Sequence, residues 1–143
     1  MKRKGLTTGG VMNVSEIQDF VPAVKDLASE RPIPSAWRPV LKQIVSDLAQ
    51  HDYQLSKGIA EVAPVSAETA DQIRNYVASY GATLTELPDE TWISSVCMWN
   101  GKRWDALIDL WTLGEGRSDL LLAVQVTESE HGFAYAVYMV YVP

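Results

Sequence analysis

The run Arg103-Trp-Asp-Ala-Leu-Ile-Asp-Leu-Trp-Thr112 decides the fold. Its even positions from Trp104 to Leu110 (Trp104, Ala106, Ile108, Leu110) are apolar, while its odd positions mix Asp105 and Asp109 with Leu107 and Trp111. Alternation with a period of two marks a strand with one buried face, because successive side chains of an extended chain point to opposite sides. Ser118–Thr127 repeats the pattern, with Leu120, Leu122, Val124 and Val126 on the even positions. The short loop Leu113–Arg117 aligns the two apolar sets, so the even face is read as core.

Upstream, Trp92–Trp99 reads as a strand, joined to the first by Asn100-Gly101. That dipeptide favours a two-residue hairpin because its central residues accept positive φ. Such a turn pairs Trp99 with Lys102, sets Cys97 opposite Trp104, and brings Trp92 opposite Asp109 on the mixed face. Downstream, Phe133–Val142 is a further strand, apolar at both odd and even positions. Its register stays open, and a strongly curved sheet or a sheet-to-sheet dimer would bury both of its faces. Ala82–Leu87 reads as a shorter strand.

Before Gly81 the period is helical. Ser15 and Gln18 form a capping-box pattern ahead of Ile17, Phe20, Val21, Val24 and Leu27, with Pro22 kinking or splitting that helix. Glu30–Pro34 is a proline-rich linker. A second helix carries the stripe Trp37, Val40, Leu41, Ile44, Val45 and Leu48 and ends near His51-Asp52. A third runs from the Ser66 cap to Gly81, with Ala70, Ile73, Val77 and Tyr80 on one face. The expectation is an α+β fold: three N-terminal helices packed on a curved antiparallel meander of four to five strands. Residues 1–13 read as a disordered tail and 14–143 as one domain, with the first helix and linker at 14–34 and the remaining helices and sheet at 35–143.

The composition narrows function. The 143 residues hold 12 basic and 18 acidic side chains, a net charge of −6. An acidic body repels phosphate backbones and anionic bilayers, so neither nucleic acid nor a membrane is expected as partner. The basic start is followed by no apolar core of a signal peptide, and no run approaches the roughly 18 apolar residues of a spanning helix. These absences suggest a cytoplasmic protein. One cysteine and two histidines argue against a disulfide framework and a zinc site, and no cofactor or metal is expected.

The mixed sheet face gathers the candidate binding residues Trp92, Asp105, Asp109, Trp111, Glu115, Arg117 and Asp119. Trp92 and Trp111 would be walls, and Arg117 with a carboxylate would bind or polarise a ligand. In the plainer reading Arg117 pairs with Asp109 or Asp119 and fixes the hairpin turn. Asp105 and Asp109 lie about 13 Å apart along one strand, too far for a direct carboxylate pair. Cys97 has only His51 and His131 as possible bases and reads as a buried structural thiol, so no catalytic residue is assigned.

The run Trp104–Thr112 followed by Glu115-Gly-Arg-Ser-Asp119-Leu resembles the core of an uncharacterised bacterial domain family, as does the stretch from Ile73 to Trp92. The likeness covers roughly residues 36–143 and implies no activity. The order of elements is also similar, more loosely, to the nuclear transport factor 2-like superfold, with helices in the hollow of a curved sheet (a cystatin-like arrangement). That superfold hosts enzymes and binding modules alike. The leading expectation is a non-enzymatic module binding a protein or small molecule, working as a homodimer. The alternatives are a small acid/base enzyme using Asp109 or Asp119 with Arg117, and an immunity-type protein whose acidic body suits a basic toxin.

Overall fold

The structure is a computed structural model that describes residues 20–27 and 29–143. Its elements are β1 (Arg31–Pro32), a 3-10 turn (Ser35–Trp37), α1 (Arg38–Ala49), α2 (Ala67–Tyr80), the one-turn α3 (Thr91–Ser94), β2 (Val96–Trp99), β3 (Trp104–Thr112), β4 (Gly116–Ser129) and β5 (Gly132–Tyr141). The strands form one antiparallel meander in the order β1-β2-β3-β4-β5. This is the expected α+β class with a five-stranded sheet.

The even face of β3 and β4 is the core face: Trp104, Ala106, Ile108, Leu110, Leu120, Leu122, Val124 and Val126 are all buried. α1 covers it with Leu41, Ile44, Val45 and Leu48, and α2 with Ala70, Ile73 and Val77. Ser66 caps α2 by accepting the Thr69 N–H at 3.1 Å, and Gly81 ends it at φ 79°, where a side chain would be strained. The aromatic centre is Trp37 against Trp104 at 5.4 Å, with Phe133 against both rings. Edge-on rings at this spacing add to the burial of their area.

Four expectations are corrected. The described part of the first expected helix, 20–27, is not helical; among the described residues only two long helices precede β2, and the rest of that segment lies outside the described residues, as does the 1–13 tail. Instead, Val21 and Ser35 exchange hydrogen bonds, and the Trp104 indole donates to the Val24 carbonyl at 2.9 Å. The proline linker contributes β1, a two-residue edge strand beside β2. Ala82–Leu87 makes one bridge, Leu84 to Thr112, and no strand. Trp92 sits in α3 rather than in a strand.

The β2–β3 register also differs. Trp99 pairs with Trp104 and Cys97 with Ala106, because the loop holds four residues, Asn100–Arg103. The Asn100 side-chain oxygen accepts the N–H groups of Lys102 (3.0 Å) and Arg103 (2.9 Å), and its own N–H donates to the Arg103 carbonyl. This Asx-type closure wins over the two-residue turn. A slip of two residues preserves parity, so the faces are unchanged.

Two irregularities bend the sheet. Between Asp109 and Trp111 the pairing jumps from Leu121 to Arg117, placing Ser118, Asp119 and Leu120 opposite Leu110. The buried Ser118 hydroxyl fills the gap, donating to the Leu110 carbonyl (2.8 Å) and accepting the Leu120 N–H (3.1 Å). In β5, Tyr138 bulges out, so the core residues change from Tyr135 to Val140. That parity change accounts for apolar residues at both odd and even positions of the last strand.

Candidate functional site

The seven candidate residues do not form one site. Asp109 is gripped by α3: Ser94 donates to its carboxylate, Thr91 Oγ1 donates to its carbonyl at 2.9 Å, and Ser95 Oγ accepts its N–H at 2.9 Å. Thr91 and Ser95 are buried and lie within hydrogen-bond distance of each other, so the hydroxyls clamp the β3 bend. Trp92, in the same turn, is buried with its ring 5.4 Å from the Arg38 guanidinium, away from Trp111.

Trp111, Glu115 and Asp119 gather at the β3–β4 turn. The Tyr80 hydroxyl donates to the Glu115 carboxylate (3.1 Å) and accepts the Asp119 N–H (3.2 Å), while Thr112 Oγ1 donates to Glu115 at 3.2 Å. The Asp119 N–H lowers the Tyr80 pKa, but desolvation and the Glu115 carboxylate outweigh it and leave the phenol above its usual value. The Trp111 carbonyl accepts the Thr85 N–H, and its indole N–H is buried without an acceptor. Arg117 is exposed and makes no ion pair with Asp109 or Asp119 among the described residues, so the expected turn-fixing pair is absent there. Asp105 stands at the other end of β3, paired to Arg103 at 3.2 Å and bonded by Asn100.

Cys97 is a buried free thiol whose Sγ lies 3.6 Å from the Pro32 carbonyl, and burial pushes its pKa up to about 11. It is a protonated core group rather than a nucleophile. Among the described residues no cluster of His, Cys, Asp and Glu could hold a metal ion, and no helix is long and apolar enough to cross a membrane.

Two further surfaces stand out. The first is the outer sheet face, the mixed face of the sequence analysis, which neither long helix covers; what the sequence did not show is its apolar row. Val96, Leu107, Ala123 and Met139 are register partners in turn across four strands and form one half-buried apolar row. Beside it a hollow of about 260 Å³ is lined by Arg103, Asp105, Gln125, Tyr138 and Tyr141, among others. The second is a groove of about 740 Å³ between the start of α1 and α3, lined by Arg38, Lys42, Asp89, Trp92 and Ile93, among others. Its signal in the sequence was the i, i+4 spacing of Arg38 and Lys42 on the polar side of the α1 stripe.

The geometry defines an α+β meander with one sheet face under helices and the other open. Residues 45–143 match the family described as a domain of unknown function, DUF7668, and the chain belongs to that family. The match begins inside α1, so Arg38 and Lys42 lie before it. No curated protein and no solved structure matches the chain.

Proposed function

We propose that the chain is a non-enzymatic binding module that works as a homodimer through the open face of its sheet. The observation that carries this reading is the uninterrupted apolar row Val96–Leu107–Ala123–Met139. Contiguous apolar surface of this kind is costly to leave in water and typically marks an association site. The charges around the row favour a second copy as the occupant. Beyond the Arg103–Asp105 pair, Lys102 leaves one end of β3 net cationic, and Asp109, Glu115 and Asp119 outnumber Arg117 at the other. A two-fold axis crossing the strands near Leu107 lays the cationic end of one copy over the acidic end of the next.

The acid/base alternative asks for a helix-enclosed cavity reaching Asp109 or Asp119. Asp109 is on the face opposite α1 and α2 and is tied down by Ser94, while Asp119 and Arg117 are exposed. A cytoplasmic setting suits the free thiol of Cys97.

Light-scattering mass across a concentration series tests the reading. The wild-type chain should have twice the monomer mass, and Leu107→Lys and Ala123→Glu should each give monomers with unchanged circular dichroism. A wild-type chain that stays monomeric at high concentration, or variants that keep the doubled mass, would overturn it.

A further inference from the structure

A cavity of about 600 Å³ opens where β4 turns into β5, between that hairpin, the Ala60–Glu61 turn and the first turn of α1. It shares no residue with the open-face row or with the groove beside α3. We propose that it binds an organic amine, with Glu61 and Tyr135 holding the ammonium group while Val40 and Phe133 pack against the apolar body.

The volume suits a small organic molecule. Tyr135 lines the cavity and is only 5% exposed. Its hydroxyl makes no hydrogen bond among the described residues, and it is not sealed in the core as the Trp37 indole N–H is. Buried hydroxyls are ordinarily partnered, because desolvation without a bond is costly. At a cavity wall, the partner that suits such a hydroxyl is a polar atom of a ligand.

Charge decides the class of ligand. Among the described residues that line the cavity there is no lysine or arginine, and the Glu61 carboxylate makes no ion pair. Glu130 and His131 also line it, but they stand 3.8 Å apart and almost fully exposed, so their pairing adds little. The positive end of α1 lies at Val40 and amounts to about half a charge, against the full charge of Glu61. The cavity therefore favours a cation.

Backbone bonds keep the two polar groups together. The Tyr135 N–H donates to the Glu61 carbonyl at 2.9 Å, and the Ala63 N–H donates to the Tyr135 carbonyl at 2.8 Å. Glu61 takes φ 67°, a region that residues other than glycine seldom adopt. Burial raises the Tyr135 pKa and the Glu61 carboxylate raises it further, so the phenol keeps its proton. A neutral phenol accepts one ammonium hydrogen on its oxygen, and the carboxylate accepts another. A carboxylate ligand would meet Glu61 as a like charge, and a neutral alcohol would lack the charge-assisted bond. A free arylalkylamine and a lysine side chain carry the same ammonium chemistry.

The test is isothermal titration calorimetry of the full chain with phenethylamine, phenethyl alcohol, hydrocinnamate and the blocked peptide acetyl-Gly-Lys-Gly-amide. At least one of the two amines should bind, and the tighter of them identifies the source as a free amine or a protein side chain. Phenethyl alcohol and hydrocinnamate should bind more weakly than the amine by roughly tenfold or more. Glu61→Gln and Tyr135→Phe should each weaken the amine roughly tenfold with circular dichroism unchanged. Tyr135→Phe removes only the unpartnered hydroxyl, so that variant should melt no lower than wild type. The proposal is overturned if neither amine binds at millimolar concentration, if phenethyl alcohol binds as tightly as phenethylamine, or if both variants bind as wild type does.

Discussion

Gln72 holds Val140 by both of its backbone groups. The Gln72 amide nitrogen donates to the Val140 carbonyl at 2.7 Å, and the Gln72 amide oxygen accepts the Val140 N–H at 3.2 Å. β5 is the last strand of the sheet, so these two groups have no strand partner on that side. One side-chain amide on α2 supplies both.

Gln72→Ala should therefore lower stability by about 1–3 kcal/mol, the range for stranding partly buried backbone groups. A urea melt of purified protein measures it. A midpoint equal to wild type would mean that water satisfies Val140 equally well.

Thr91→Val tests the clamp on β3. The exchange keeps shape and removes a fully buried hydroxyl that donates to the Asp109 carbonyl. The expected cost is again about 1–3 kcal/mol. Asp109→Ala removes only the Ser94 contact and should cost less. If Asp109→Ala were the more damaging change, the carboxylate rather than the hydroxyls would hold the bend.

Tyr80→Phe removes the oxygen shared by Glu115 and Asp119. The network is near the surface, so the loss should be about 0.5–1.5 kcal/mol. Amide exchange should quicken at Asp119 and leave Val124 protected. Uniform quickening across β4 would show a wider role.

Cys97 gives a pH signature. The folded state keeps the thiol proton up to about pH 11, whereas the ordinary value is 9.0. The stability held in the neutral thiol is complete below pH 9 and is lost as pH rises towards 11. The wild type should thus lose more stability than Cys97→Ala over that window. The native thiol should also resist a thiol-reactive dye until the chain unfolds. Rapid native labelling at neutral pH would contradict the burial.

Much of the sheet was legible because β3 and β4 keep a strict period of two from Trp104 to Leu110 and from Leu120 to Val126. The hairpin register was not, since Asn100 closes the turn with its side chain, and Asn-Gly alone does not reveal that. The error was harmless to the faces because the slip is even. Trp92 was misread for a different reason. Pro88-Asp89-Glu90 starts a helical turn, in which Thr91 and Trp92 donate back to Pro88 and Asp89, and the alternation from Trp92 onward masked it. The candidate site followed that misreading: once Trp92 leaves the strand, it no longer faces Asp109 and Trp111. Of the two surfaces left over, the sheet face was already marked as the mixed face by alternation, whereas the groove beside α1 depends on what covers what, which periodicity does not carry.

The grip of Gln72 on β5 also bears on colloidal behaviour. The Val62 region runs along the same margin, with Ala63 donating to the Tyr135 carbonyl and Tyr135 donating to Glu61. At the opposite margin the sheet ends in Arg31–Pro32, a two-residue strand with a charge and an imino acid. Fibril growth needs a long, vacant row of amides on which the next chain can template, and neither margin offers one. Linear polymerisation is thus blocked at both ends of the meander, so an apolar face can stay open without seeding amyloid.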